Sequence, residues 1–274
     1  MDRVPLRFIE EVLLLLDSIP YWIRKTLHYP STWGKVAARR GVKEQVRVNV
    51  YLSQEPVFSL WTSHAGTNMP VPLEDLEQFV IRDIFIYKEN RVWREERHPL
   101  NKKNFQLLQR HLRRGYPCYL ALHANFSGIS YLEQLCLAPS RVTHFSFDGL
   151  DPFDLPLPTE ILTQNIDRGA LRCLVCSNGV HVTNEFFPVI LRFVASEQFE
   201  HLMFASSSGP VSSKVFLEGA IDAFLSRPRR KQFWFVISER YRDICGRLMG
   251  EDVREEVGVE FRRTRTLLSV CPAQ

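Results

Sequence analysis

The sequence predicts an α/β protein in which a short three-helix module precedes a curved solenoid of strand–helix repeats. Three observations carry this expectation. The first forty residues hold apolar positions at helical spacing, an apolar triplet recurs from about residue 116 onward, and a helical stripe lies between most successive triplets. The composition is that of a chain with a sizeable core, since 45% of its 274 residues are hydrophobic and 24% charged. A net charge of +4 is spread in short runs such as Arg113-Arg114 and Arg262-Arg263, which argues against a nucleic-acid face.

Residues 1–40 form the first expected unit. Leu6, Ile9, Val12, Leu13 and Leu16 line one face of a helix opened by Val4-Pro5, while Arg7, Glu10, Glu11 and Asp17 take the other. Pro20 interrupts this pattern, Tyr21 to Leu27 allows a second short helix, and Ser31-Thr32 can cap a third containing Trp33, Val36 and Ala37. Val12 to Leu16 is too short an apolar run to span a membrane and lacks a cleavage site after it, so no membrane association is expected. Six cysteines without a secretory signal point to a reducing compartment, cytoplasmic or nuclear.

Residues 41–99 read as a cap or atypical first repeat. Val46, Val48, Val50 and Leu52 alternate strictly, Val57 to Trp61 gives a second strand, and the two suggest a hairpin. Leu73 to Val80 allows a short helix, and Ile84 to Tyr87 a further strand.

Residues 100–274 carry the repeat. The triplets read Tyr116/Tyr119/Ala121, Val142/Phe145/Phe147, Leu171/Leu174/Cys176 and Phe199/Leu202/Phe204, with looser copies at Phe235/Ile237 and Leu268/Val270. The second to fourth begin 29 and 28 residues apart. Helical stripes lie at Phe105 to Leu112, Leu155 to Ile166, Phe186 to Val194 (capped by Thr183) and Val215 to Leu225 (preceded by Ser212-Ser213). A lone strand–helix pair exposes an apolar face that only a neighbouring pair covers, so such units stack.

No catalytic constellation emerges, and no enzyme activity is expected. Cys173 and Cys176 sit in one strand, where residues three apart point to opposite faces, and no second pair exists to complete a metal site. Ser206 to Gly209 lacks the frame of a nucleophile elbow, and Asp148, Asp151 and Asp154 are interrupted by Pro152. Neither a cofactor nor a metal is therefore expected. What remains is the strand face between triplet members: His144 and Ser146, Arg172, Glu200, His201 and Met203, and Trp234. His144 and His201 occupy equivalent repeat positions, with Cys173 between them if the strands stack in register. Aromatic, Met, Arg and small polar residues together have the character of a protein-recognition surface.

The N-terminal unit resembles the F-box family. Val4-Pro5 stands for that family's opening Leu-Pro, Phe8, Ile9, Val12, Leu13 and Leu16 for its apolar stripe, and Trp33, 28 residues after Pro5, for its tryptophan segment. The repeats resemble the longer, helix-containing leucine-rich repeats. Together the resemblances imply a substrate receptor of an SCF-type (cullin–RING) ubiquitin ligase. Pro5, Phe8, Ile9, Val12, Leu13, Leu16 and Trp33 would contact the Skp-type adaptor, and the repeats would hold a protein substrate. The alternative is a β/α-repeat scaffold or inhibitor with a protein partner and no ubiquitin role.

Overall fold

A computed structural model describes Pro5, Phe8, Ile9, Val12, Trp33 and residues 44–62, 68–88, 97–123, 130–148, 156–177, 180–204, 207–227, 233–250, 257–262 and 268–272, the last segment, Trp234 and Arg262 by backbone alone. The fold is mixed α/β around one 11-stranded mixed sheet. In chain order the elements are β1 (Gln45–Leu52), β2 (Val57–Thr62), a 3-10 turn (Leu73–Gln78), β3 (Val80–Lys88), β4 (His98–Pro99), α1 (Lys102–Leu112), β5 (Cys118–His123), α2 (Ser130–Cys136), β6 (Val142–Phe147), α3 (Pro156–Asp167), β7 (Cys173–Cys176), β8 (Val180–His181), α4 (Phe186–Val194), β9 (His201–Phe204), β10 (Ser207–Ser208), α5 (Ser213–Leu225), β11 (Phe233–Ser238), a 3-10 segment (Glu239–Met249), β12 (Val257–Arg262) and β13 (Leu268–Pro272).

The sheet order is β12-β11-β13-β9-β7-β6-β5-β3-β1-β2-β4. Strands β3, β5, β6, β7 and β9 are parallel and follow the chain, so each crossover steps to the adjacent place. β1 and β2 form the expected antiparallel hairpin. The capping chemistry read from the sequence is also present. The Thr183 hydroxyl accepts from the Phe186 N–H at 3.1 Å, and the Ser212 hydroxyl from the Val215 N–H at 3.3 Å. Asn101 caps α1 through the Asn104 N–H at 3.0 Å.

Alternation along each strand sorts residues between two faces. One face is fully covered: Ile84 and Ile86, Leu120 and Leu122, Phe145 and Phe147, Leu174 and Cys176, Leu202 and Phe204 are all buried. Helix side chains meet it there, with Phe186 of α4 6.1 Å from Phe147 and Phe216 of α5 4.9 Å from Phe204, ring centre to ring centre. The 3-10 turn is tied to α1 by Glu77, which accepts from Arg110 and Arg114 and lies 3.2 Å from His111 Nε2. Those guanidiniums, Arg114 first, pull the Glu77 carboxyl down to about 2.

Two expectations need correction. Tyr116, Tyr119 and Ala121 do not form a core triplet; the inward residues of β5 are Leu120 and Leu122, and Tyr119 is only half-buried. Leu268 and Val270 do not belong to a sixth parallel strand. β13 runs antiparallel to both neighbours and is inserted between β9 and β11. The sequence reading also passed over β12, parallel to β11 at the sheet edge, and the short helix α2.

In the two-stranded parallel β8–β10 pair, β10 is followed directly by Gly209, at φ +106°. A Cβ there would stand 2.9 Å from the Val182 carbonyl oxygen and 3.0 Å from His181 Nε2. Gly209→Ala should therefore destabilise the chain by about 1–3 kcal/mol, since neither the backbone angle nor the carbonyl can yield cheaply. A urea unfolding midpoint equal to that of the wild type would contradict this.

Candidate functional site

The opposite face of the sheet gathers the polar and aromatic residues. Register aligns Arg47, Asp83, Tyr119, His144, Cys173 and His201 across β1, β3, β5, β6, β7 and β9. The next row holds Asn49, Phe85, Ala121, Ser146, Val175, Met203 and Ser269 of β13, and Val236 pairs with Ser269 from β11. His144, Cys173, His201, Val175 and Met203 are all partly exposed, whereas Ser146 is buried. Five of the residues singled out from the sequence, His144, Ser146, Cys173, His201 and Met203, thus share one region. Arg172 and Glu200 lie just before β7 and β9, where the Arg172 guanidinium donates to Glu200 Oε1 at 3.0 Å. Trp234 is two residues from Val236 in β11 and pairs with Cys271.

His144 is positioned by an irregularity that the sequence does not announce. Cys118 pairs with Val142 but Tyr119 with His144, so Thr143 is an extra residue in β6, a β-bulge. The Thr143 carbonyl accepts from the Arg172 N–H at 2.8 Å, and the Arg172 carbonyl in turn accepts from Glu200 at 2.9 Å and His201 at 3.1 Å. The starts of β6, β7 and β9 are locked together by this chain. The Thr143 hydroxyl donates to the Cys118 carbonyl at 3.2 Å and lies 3.0 Å from His144 Nδ1. Burial, and next the Arg82 guanidinium, push the His144 imidazole down to about 4, so it is neutral at physiological pH.

A second cluster, not foreseen from sequence, lies toward the strand C-termini. Tyr51, Tyr87 and His123 align across β1, β3 and β5, with ring centres 5.8 and 5.1 Å apart and planes within 21°. Phe85 stacks on Tyr87 and His123 as well, at 6.0 and 5.9 Å. The ladder is closed at one end by Asp148, whose Oδ2 accepts from His123 Nδ1 at 2.6 Å. At the other end the Arg97 guanidinium lies 4.8 Å from the centre of the Tyr51 ring. The strand signal Ile84 to Tyr87 was legible, but which face its aromatics share depends on strand order.

Of the N-terminal residues, Pro5 is exposed, and its carbonyl accepts from the N–H of Phe8 at 2.9 Å and of Ile9 at 3.2 Å, which begins a helical turn. Phe8 is 55% exposed and Ile9 only 1%, with Val12 and Trp33 between these extremes. Leu13 and Leu16, and the second helix expected over Tyr21 to Leu27, lie outside the described residues. Among the described residues, no three His, Cys, Asp or Glu side chains form a metal-binding group, and no helix is long and apolar enough to cross a membrane.

No protein-family model matches the chain, and comparison with curated proteins and with solved structures finds no match.

Proposed function

We propose that the chain is a non-catalytic receptor that holds a protein substrate on the partly exposed face of its sheet. Its N-terminal segment would join it to the Skp-type adaptor of an SCF-type ubiquitin ligase in the cytoplasm or nucleus. The observation that carries the receptor reading is the alignment of His144, Cys173 and His201 in one row, with Ser146, Val175 and Met203 in the next. Such a surface offers hydrogen-bonding, thioether and aliphatic contacts over adjacent strands, the mixture from which recognition patches are built. The stepwise parallel order from β3 to β9, with helices meeting the other face, supports a leucine-rich-repeat-like solenoid as the scaffold. In this role the protein accelerates modification by raising the substrate's effective concentration beside a ligase supplied in trans.

Exposed Phe8 supports the adaptor contact together with the resemblance of residues 1–40 to the F-box. Ile9 supports the second reading, a scaffold or inhibitor without a ubiquitin role, because that part of the stripe is already covered within the chain. Co-expression with a Skp-type adaptor followed by size-exclusion chromatography separates them. The receptor reading expects co-elution that Phe8→Asp weakens at least about tenfold, the scale of losing a buried aromatic anchor. A monodisperse chain that never co-elutes with the adaptor removes the ubiquitin role and leaves the scaffold.

A further inference from the structure

We infer that β12 is a self-association edge: two copies of this chain pair through it, antiparallel about a two-fold axis at Val259, and their sheets become one. The inference goes beyond the receptor reading and does not depend on it. The two edges of the sheet differ in kind. β4, at one end, is two residues long and closes on Pro99, which has no N–H to offer a further strand. β12, at the other, runs six residues without proline and follows β11 with no register shift. Among the described strands it pairs with β11 alone, so a row of its main-chain N–H and C=O groups points away from the sheet.

The hydrophobic layer is open at the same place. Phe233, Phe235 and Ile237 of β11 are buried in the core. Register sets Val257, Val259 and Phe261 beside them, and these three are only half-buried. The 3-10 segment meets them on that face, where the Arg242 guanidinium lies 4.8 Å from the centre of the Phe261 ring. A neighbour in the plane of the sheet would complete their burial.

A second copy supplies that neighbour, and the residue types choose the register. The core faces of both copies must lie on one side, which limits an antiparallel self-pairing to axes centred on a residue. With the axis at Val259, Val259 meets its own twin and Val257 meets Phe261, apolar against apolar. Glu260, the one charge in the interior of the strand, falls opposite Gly258. Continued outward, the same register sets Glu256 against Arg262 and Glu255 against Arg263, at both ends of the pair. Other axes lose this match. One at Gly258 opposes Glu256 to Glu260, one at Glu260 opposes that carboxylate to itself, and one at Phe261 opposes Val259 to Arg263. The run from Glu255 to Arg263, acidic at its start and basic at its end, complements itself when reversed about Val259.

Sedimentation velocity of the full chain tests the pairing. At about 100 µM the wild type should sediment as a dimer, the range expected of a small interface built on main-chain hydrogen bonds. Arg262→Glu sets like charges at both ends and should weaken the dimer about tenfold or more, and adding Glu256→Arg should restore it. An unchanged far-ultraviolet circular dichroism spectrum shows that each variant keeps the fold. Val259→Cys reads the register. Directly opposed residues of an antiparallel pair have Cα atoms about 4.5–5.5 Å apart, within disulfide reach. Mild oxidation should therefore give a reducible dimer that the wild type does not form. Phe261→Cys should give none, because it faces residue 257 of the second copy rather than its own twin. A chain that stays monomeric at about 100 µM overturns the inference. A dimer that the charge reversal leaves unchanged, or that Val259→Cys fails to crosslink, overturns it as well, since its interface then lies elsewhere.

Discussion

Val270→Pro is expected to cost the chain at least about 3 kcal/mol of stability, the scale of a proline forced into the interior of regular structure. Like β2 toward the other edge of the sheet, β13 lies between two neighbours and is antiparallel to both. Val270 pairs with Leu202 of β9 on one side and with Phe235 of β11 on the other. In such a strand successive N–H groups point to alternate sides, so the amide of residue 270 meets one partner or the other. Proline removes that donor and leaves a carbonyl of the neighbouring strand without it. The damage is not local. Among the described strands β9 and β11 do not pair with each other, so β13 links them laterally, and β12 pairs with β11 alone. Urea unfolding followed by circular dichroism should show an earlier midpoint, or a first transition as β11 and β12 separate from the rest. An unchanged midpoint would mean that the last strand is not part of the cooperative unit.

That arrangement also shows what the amino-acid sequence makes legible. The triplets in β6, β7, β9 and β11 find the core because one face of those strands is wholly covered, so alternation is written in the residue types. In β5 the run Cys118 to His123 is apolar on both faces, since Ala121 is buried opposite Leu120 and Leu122, and a period of two has nothing to distinguish. The error of one residue at Tyr119 follows from that. Leu268 and Val270 do mark a strand, but hydrophobic alternation reads the same in both directions and contains no place in the sheet. Orientation is set by pairing with residues far earlier in the chain, as in Val270 with Leu202, 68 positions before it. The alternation of Val257, Val259 and Phe261 was there to be read and defines β12.

The half-exposed face of the sheet shows the same division. The row of His144, Cys173 and His201 follows from equal positions in successive repeats, which the sequence displays. The bulge at Thr143 does not, because an extra residue is defined only against the partner strand. Stacking of Tyr51, Tyr87 and His123 likewise needs the order β1-β3-β5, in which β2 lies outside its neighbour in the chain. The residues that contribute most to the face are therefore those whose neighbours come from other strands.

His144 also ties the face to the stability of the whole fold. In the unfolded chain its imidazole titrates near 6.5, and in the folded protein burial, with Arg82 next, lowers it to about 4. Below 6.5 the unfolded chain gains a proton that the folded chain refuses, so acid favours unfolding. The contribution is fully present above pH 6.5 and is lost as pH falls toward 4, amounting to about 3 kcal/mol at the bottom of that window. His111, whose ring is also lowered by burial first and by Arg114 next, acts in the same direction. Glu77 belongs to a separate window, since its carboxylate is held from 4.5 down to about 2 and its share is lost only as pH falls through that range. Urea midpoints at pH 7 and pH 4.5 should therefore differ strongly for the wild type and much less for His144→Gln, which cannot take up the proton. Equal pH dependence in the two proteins would show that the imidazole is not held neutral. If the slope does disappear with the imidazole, burial on this half-exposed face is what keeps His144 neutral.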